Sequence, residues 1–303
     1  MNVKDKDSAP IGAFLVVPKL DAALKFYAKA FGAKEDERYQ DPKGKVWYAV
    51  VDVLGLPLQL MEPFPDMGLV ARPKTAKPTD SIMVAFAVKD VDKTFAAATK
   101  AGAQAIAAPQ HEAIGGVRFG EVRDPAGHRW SIRQAVDAPS ISGIHVVPKL
   151  DAAIKFYMTV LGAKNPIQVQ NPATKVRQAD LSVLGATLHL MEPSPALGLQ
   201  VGLPKAKGKD SAMLSLSVKD VDATFKKATQ AGAIPIIKPQ DAYWGDRYAE
   251  FRAPTGLRYA CCSRVPLGDA VINPADMKVK FDTFLADHNN PASPAQIVGV
   301  HNV

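Results

Sequence analysis

Two polar side chains stand at matching places in otherwise apolar runs: Gln59 in Pro57-Leu58-Gln59-Leu60-Met61, and His189 in Thr187-Leu188-His189-Leu190-Met191. An imidazole there can ligate a borderline divalent ion or act as a hydrogen-bonding group inside a barrel, and an amide can serve the second purpose. Arginines recur in the same paired way: Arg118 with Arg247, Arg123 with Arg252, and Arg129 with Arg258. A guanidinium can hold a carboxylate or phosphate through two parallel hydrogen bonds. Glu121 and Glu250, retained beside them, are the competing partners, and the sequence leaves both readings open. The segment Ala242-Tyr243-Trp244-Gly245-Asp246-Arg247-Tyr248 carries two aromatics more than its counterpart Ala113-Ile114-Gly115-Gly116-Val117-Arg118-Phe119. Trp244 and Tyr248 could cover a planar ligand, or pack as ordinary surface. Cys261 and Cys262, the only cysteines, read as unactivated thiols, and no Ser-His-Asp or Cys-His arrangement at recognisable spacing argues for covalent catalysis.

These pairs exist because the chain is duplicated. Val16-Val17-Pro18-Lys19-Leu20-Asp21-Ala22-Ala23 returns as Val146-Val147-Pro148-Lys149-Leu150-Asp151-Ala152-Ala153, and Leu60-Met61-Glu62-Pro63 returns as Leu190-Met191-Glu192-Pro193. The repeat is too long for a solenoid unit, which runs roughly 20–50 residues. Within the first copy, Ala13 to Val17 predicts a strand. Apolar spacing from Asp21 to Phe31 predicts a helix closed by Gly32. Strands follow over Glu35–Tyr39, Lys45–Val53 and Pro57–Met61. The second half repeats the order, with a strand over Ile82–Val88, a helix over Val91–Ala101, and strands over Ala105–Ala108, Arg118–Arg123 and His128–Arg133. Asp124-Pro125-Ala126-Gly127 supplies the last hairpin turn. The order is βαβββ, twice per copy. The expected organisation is a leader over 1–10, domains over 11–133 and 141–264 joined by a linker over 134–140, and a C-terminal extension over 265–303 with one helix near Pro274 to Asp287.

Composition sets the class. Of 303 residues, 47% are hydrophobic and 22% charged, which suits a soluble globular chain. No apolar run is long enough to span a membrane, and the charged start Met1-Asn2-Val3-Lys4-Asp5-Lys6-Asp7 lacks the apolar core expected of a signal peptide. Adjacent cysteines cannot staple a fold, so the chain reads as cytoplasmic. The net charge of +7 comes from scattered lysines, with small clusters at Lys74 and Lys77 and at Lys205, Lys207 and Lys209. Without a basic stripe interleaved with aromatics it argues against nucleic-acid binding.

Four βαβββ units, the Pro-Lys-Leu-Asp-Ala-Ala opening and the Arg123-Asp124-Pro125-Ala126-Gly127-His128-Arg129-Trp130 ending resemble the vicinal oxygen chelate superfamily. That superfamily includes glyoxalase I, bleomycin-resistance proteins and extradiol dioxygenases, and the likeness is to its PhnB-like branch. The resemblance implies an α+β fold in which pairs of units curl into β-cups, and a divalent ion held in the cup by His, Gln and Glu ligands. The positions implied for those ligands fall on Gly12, Gln59, Met83 and Ser131 in the first copy, and on Ser142, His189, Met213 and Ala260 in the second. Only His189, as a weak candidate, and Gln59 could bind an ion, and period-2 alternation turns neighbouring residues away. His145 falls on the opposite parity of its strand and His128 in a turn, so both read as structural. By parity Arg129 and Arg258 point into the cups.

The resemblance therefore implies a tandem, glyoxalase-like protein with no metal or other cofactor. Its partner is a small organic molecule, aromatic or anionic, bound around Gln59, His189, Arg118, Arg129, Trp244, Arg247, Tyr248 and Arg258. The alternative is a metal-dependent lyase, isomerase or dioxygenase with an atypical ligand set. The two copies should form an internal pseudo-dimer. Whether each cup forms within one copy or across both, and whether the chain dimerises further, stay open.

Overall fold

The computed structural model describes residues 11–40, 45–54, 56–72, 80–112, 116–135, 140–201, 210–242 and 245–264. The expected leader, the C-terminal extension with its helix, and the two lysine clusters lie outside the described residues. The first copy runs β1 (Ile11–Val16), α1 (Leu20–Phe31), β2 (Lys34–Gln40), β3 (Val46–Val53), β4 (Leu56–Met61), β5 (Ile82–Val88), α2 (Val91–Lys100), β6 (Gln104–His111), β7 (Arg118–Arg123) and β8 (Arg129–Gln134). The second runs β9 (Ser140–Val146), α3 (Leu150–Leu161), β10 (Lys164–Gln170), β11 (Arg177–Val183), β12 (Ala186–Met191), β13 (Ala212–Ser217), α4 (Val221–Gln230), β14 (Ile234–Asp241), β15 (Asp246–Arg252) and β16 (Arg258–Arg264). A single 3-10 turn follows β4 at Pro65–Met67 and β12 at Pro195–Leu197.

Local chemistry explains the helices. Asp90 and Asp220 cap α2 and α4, accepting from Lys93 N at 2.9 Å and Ala223 N at 2.8 Å. Gly32, at φ 68°, ends α1 in the left-handed conformation that costs a glycine least. Glu62 accepts a hydrogen bond from Leu20 N at the start of α1 and pairs with Lys45, so it faces away from the cup as its strand parity requires.

The strands assort across the repeat. One eight-stranded sheet has the order β14-β15-β16-β13-β1-β4-β3-β2, and the other β10-β11-β12-β9-β5-β8-β7-β6. Each sheet therefore joins half of one copy to half of the other. The joints are antiparallel: Ile11–Leu15 of β1 against Ala212–Leu216 of β13, and Ile82–Ala87 of β5 against Ser140–His145 of β9. Neither cup is built within one copy. The helices of a copy stay together: α1 packs on α2, and the first core gathers Leu15, Phe26, Tyr27, Phe31, Phe86 and Trp130 from both of its modules.

Each copy ties its helix to its final hairpin through a buried tyrosine, in different ways. Tyr27 Oη donates to Asp124 Oδ2 at 2.6 Å, Trp130 Nε1 donates to the same oxygen at 2.9 Å, and His128 N donates to Oδ1 at 2.9 Å. In the second copy Tyr259 Oη donates to Tyr157 Oη at 2.8 Å, and Tyr157 Oη lies 2.9 Å from His145 Nδ1 and 3.2 Å from Thr255 Oγ1. His145 and His128 are both buried, and His128 Nε2 reaches Val16 O at 3.0 Å, so both are structural as expected. Burial pushes Tyr157 up to about 12 and His145 down from 6.5 to about 3.

The depressed His145 sets a pH dependence. In the unfolded chain the ring gains its proton as the pH falls through 6.5, while the folded protein excludes it until about 3. Stability therefore falls as pH drops across that window, by up to about 1.4 kcal/mol per pH unit. His128, also lowered by burial, acts in the same direction. Urea unfolding at about pH 7 and about pH 4.5 should show a smaller loss for His145→Leu, the residue type of its counterpart Leu15, than for the parent. An equal loss in the two proteins would refute the assignment.

Candidate functional site

Strand register decides what lines each cup. In the sheet joining β1–β4 to β13–β16, Phe14 lies beside Gln59 on β4 and opposite Met213 on β13, while Gly12 opposes Ser215, which lies beside Ala260. Gly12, Gln59, Met213 and Ala260 thus share one concave face. That face is filled from within. Phe14, Trp47, Met61, Met213 and Ala260 form one apolar cluster, with Tyr39, Tyr48 and Tyr248 packed against it. Tyr48 sits 6.3 Å from Phe14 and 5.4 Å from Tyr39, ring centre to ring centre. Burial raises both Tyr48 and Tyr248 well above the usual phenol range, and Tyr248 Oη donates to Glu250.

The other sheet makes a different cup. His189 lies beside Ile144, which opposes Met83; Ser142 opposes Ala85, which lies beside Ser131. Met83, Ala85, Ile144, Val146, Met191 and Leu199 form its apolar lining, with no aromatic among them. His189 keeps 25% of its side chain exposed, and its Nδ1 is 2.6 Å from Oδ1 of Asp180, the residue directly across the β11–β12 pair. Burial alone would raise Asp180, but the hydrogen bond and charge of His189, with the charge of Arg133 from the opposite arm, hold it below the usual carboxylate value. Arg133 forks onto Glu112 at 2.6 and 2.9 Å. Ser131 is 1% exposed, and its Oγ has no hydrogen-bond partner among the described residues.

The arginines divide by face. Arg129 and Arg258 lie on the cup side, where both are committed. Arg258 Nε donates to Glu250 at 2.7 Å and its Nη1 to Met67 O at 2.7 Å; Arg129 Nε donates to Glu121 at 3.0 Å and its Nη1 to Leu197 O at 2.6 Å. Each thus clamps the 3-10 turn of the other copy. Arg123 and Arg252 back them by pairing with Asp80 and Asp210 at 2.8 and 2.5 Å. Arg118 and Arg247 are not brought to a cup. They project from the helix face of β7 and β15, onto Asp92 of α2 at 2.6 Å and Asp222 of α4 at 2.7 Å. The physical reason is parity: Glu121 opposes the cup-facing Ser131, so Arg118, three residues earlier, lies on the other face. Trp244 lies outside the described residues, and Tyr248 belongs to the cup of Gln59, not that of His189.

Among the described residues no group of three or more His, Cys, Asp and Glu side chains could hold a metal ion. One cup offers the Gln59 amide beside a glycine, a methionine and an alanine. The other offers one imidazole, two hydroxyls and a thioether, with Asp180 turned onto the imidazole. This chemistry does not fit a catalytic divalent site, which needs about three imidazole or carboxylate ligands. Asp180 and Arg133 were not singled out from the sequence. Asp180 is polar in an alternating strand, a weak signal, and its place opposite His189 depends on strand register.

The chain matches the Glyoxalase/Bleomycin resistance protein/Dioxygenase superfamily over residues 11–132 and again over 144–260. It belongs to that superfamily. Uncharacterised proteins of Mycobacterium bovis and Mycobacterium tuberculosis are each 36% identical over 123 residues, covering 40% of this chain and 80% and 72% of theirs. Glyoxalase I from Zea mays superposes with a TM-score of 0.63 at 19% identity, covering 90% of this chain and 94% of that one. A mutant of that protein gives 0.66 over the same shares. At this identity the likeness is one of fold, and two glyoxalase-like domains in one α+β chain is the fold it shares. No helix among the described residues is long and apolar enough to cross a membrane.

The buried clamp carries a stability prediction. Arg258→Met strands the Glu250 carboxylate, 1% exposed, and should cost about 3–5 kcal/mol in equilibrium unfolding. The double variant Arg258→Met/Glu250→Leu should recover much of that loss. A single variant as stable as the parent would show that the clamp carries no stability.

Proposed function

We propose that this chain is a metal-independent member of its superfamily that binds a small organic molecule inside a β-cup. One observation carries the reading: the two candidate donors, Gln59 and His189, fall in different cups, so neither cup has more than one strong ligand at the inner positions. The metal-dependent alternative, a lyase, isomerase or dioxygenase using both residues, would need them in one cup. The cup of His189 is the better binding site, because it keeps a buried, unpartnered hydroxyl on Ser131 and lacks the aromatic filling of the other. The Pro-Lys-Leu-Asp openings support placing the chain in the PhnB-like branch, with domain limits of 11–133 and 141–264. Cys261 and Cys262 form no disulfide, which supports a cytoplasmic setting.

Protein purified without chelators should contain Zn, Ni, Mn and Fe far below one atom per chain by elemental mass spectrometry, unchanged in His189→Ala. Native mass spectrometry should detect a co-purified small molecule. Stoichiometric metal that is lost together with an activity in His189→Ala would overturn the reading.

A further inference from the structure

The two eight-stranded sheets end on β14 and β2, and on β10 and β6. An edge strand presents unpaired backbone groups, and proteins blunt it with charge, proline or bulges. β2 carries charge along its length, from Lys34 and Glu35 to Arg38, and breaks register twice against β3. β6 and β14 also break register twice, with Pro109 in the first and Pro235, Lys238 and Pro239 in the second. β10 is different. Its break and its proline, Pro166, fall at its start, and residues 167–170 keep unbroken register against β11 with no charged side chain.

Apolar side chains flank this edge on both faces. Ile167 is 66% exposed and Val169 37%, and their register with Asp180 and Gln178 puts them on the face of the cup of His189. On the helix face Met158 is 47% exposed. With Asp151, Ile154, Lys155 and Thr159 of α3 and Gln168 of β10, it lines a groove of about 410 Å3. The counterparts of Met158, Ile167 and Gln168 in the first copy are Ala28, Glu37 and Arg38. Arg38 there pairs with Glu35 and lies 3.8 Å from Asp21. Charge thus guards this edge in one copy and is replaced by apolar and amide side chains in the other.

We propose that β10 is the docking edge for a second copy of this chain, which adds its own β10 antiparallel about a twofold axis at Gln168. The sequence of the strand is self-complementary in that register. Ile167 stands opposite the partner's Val169, and Val169 opposite the partner's Ile167, all on the cup face, while Gln168 meets the partner's Gln168 on the helix face. Cross-strand pairs of β-branched residues are favourable, and no like charges along the strands are opposed. Lys164 falls beyond the paired stretch. One patch serves both copies, as a closed twofold dimer requires. The added strand also closes the open side of the groove beside Met158. The dimer joins two eight-stranded sheets and sets both cups of His189 on one side of them, the partner's Val169 extending the row Ile167, Asp180, His189. None of this depends on what the cups bind.

Sedimentation velocity of the full chain should show a dimer in equilibrium with monomer at micromolar concentrations. Ile167→Lys, at a position exposed enough to accept the change, should weaken that dimer at least about tenfold with an unchanged unfolding curve. Ile106→Lys, on the edge strand β6, should leave it intact. Gln168→Cys should form a disulfide between copies on mild oxidation, because directly opposed Cβ atoms lie only about 5 Å apart. Gln170→Cys should not, since it falls opposite the partner's Pro166; both are compared with the parent chain under the same oxidation. A monomer throughout that concentration range, a dimer insensitive to Ile167→Lys or broken by Ile106→Lys, or cross-linking at Gln170→Cys and not at Gln168→Cys would each overturn the proposal. Metal content and cup ligands enter none of these readouts, so the metal-independent reading stands or falls separately.

Discussion

The antiparallel contacts of β1 with β13 and of β5 with β9 are the constraint on which everything else rests. Each βαβββ module is a four-stranded sheet whose first strand would otherwise end in a row of unpaired amides and carbonyls. Such an edge is costly to bury and prone to aggregate when exposed. Here each edge is covered by the first strand of a module from the other copy. The closure makes two continuous sheets and leaves α1 to α4 to pair within their own copies, α1 on α2 and α3 on α4.

That exchange explains the buried arginines. Once the modules are shared, the turn after β4 of one copy lies against the last hairpin of the other. Arg258 and Arg129 reach across to carbonyls of Met67 and Leu197, with Asp210 and Asp80 completing the charge balance. Buried guanidinium groups persist only when each is paired and hydrogen-bonded, and these are. Their retention in both copies reflects assembly. Arg118 and Arg247 have a humbler role, on the helix face, tying strand to helix through Asp92 and Asp222.

Within this symmetric frame the cups have diverged. Tyr48 and Tyr248, from different copies, meet in one cup and pack it. His189, which the sequence set beside Gln59 as its equivalent, occupies the other cup, with Asp180 across the ladder and Ser131 beneath. Two residues equivalent in the repeat thus have unrelated surroundings. Each is half-surrounded by the opposite copy, and the surroundings differ in both halves: Phe14 and Tyr48 stand against Ile144 and Gln178 in the residue's own copy, and Tyr248 and Ala260 against Phe119 and Ser131 in the opposite one.

Local chemistry made much of this legible in advance. The apolar spacing of α1, the glycine at its end, the Asp-Pro-Ala-Gly hairpin and the alternation that turns Glu62 away from the cup all depend on near neighbours, and the strands and helices fall close to where the spacing puts them. The poverty of metal donors at Gly12, Met83, Ser131, Ser142, Met213 and Ala260 was also readable from residue type alone. The partner of each module was not readable. β1 could be covered by β5 of its own copy or β13 of the other with almost the same local pattern, and the choice is made by pairings between residues two hundred positions apart. Because that choice decides which side chains share a cup, only the tertiary structure separates Gln59 from His189, gives Tyr248 to the former, and sets Asp180 and Ser131 around the latter.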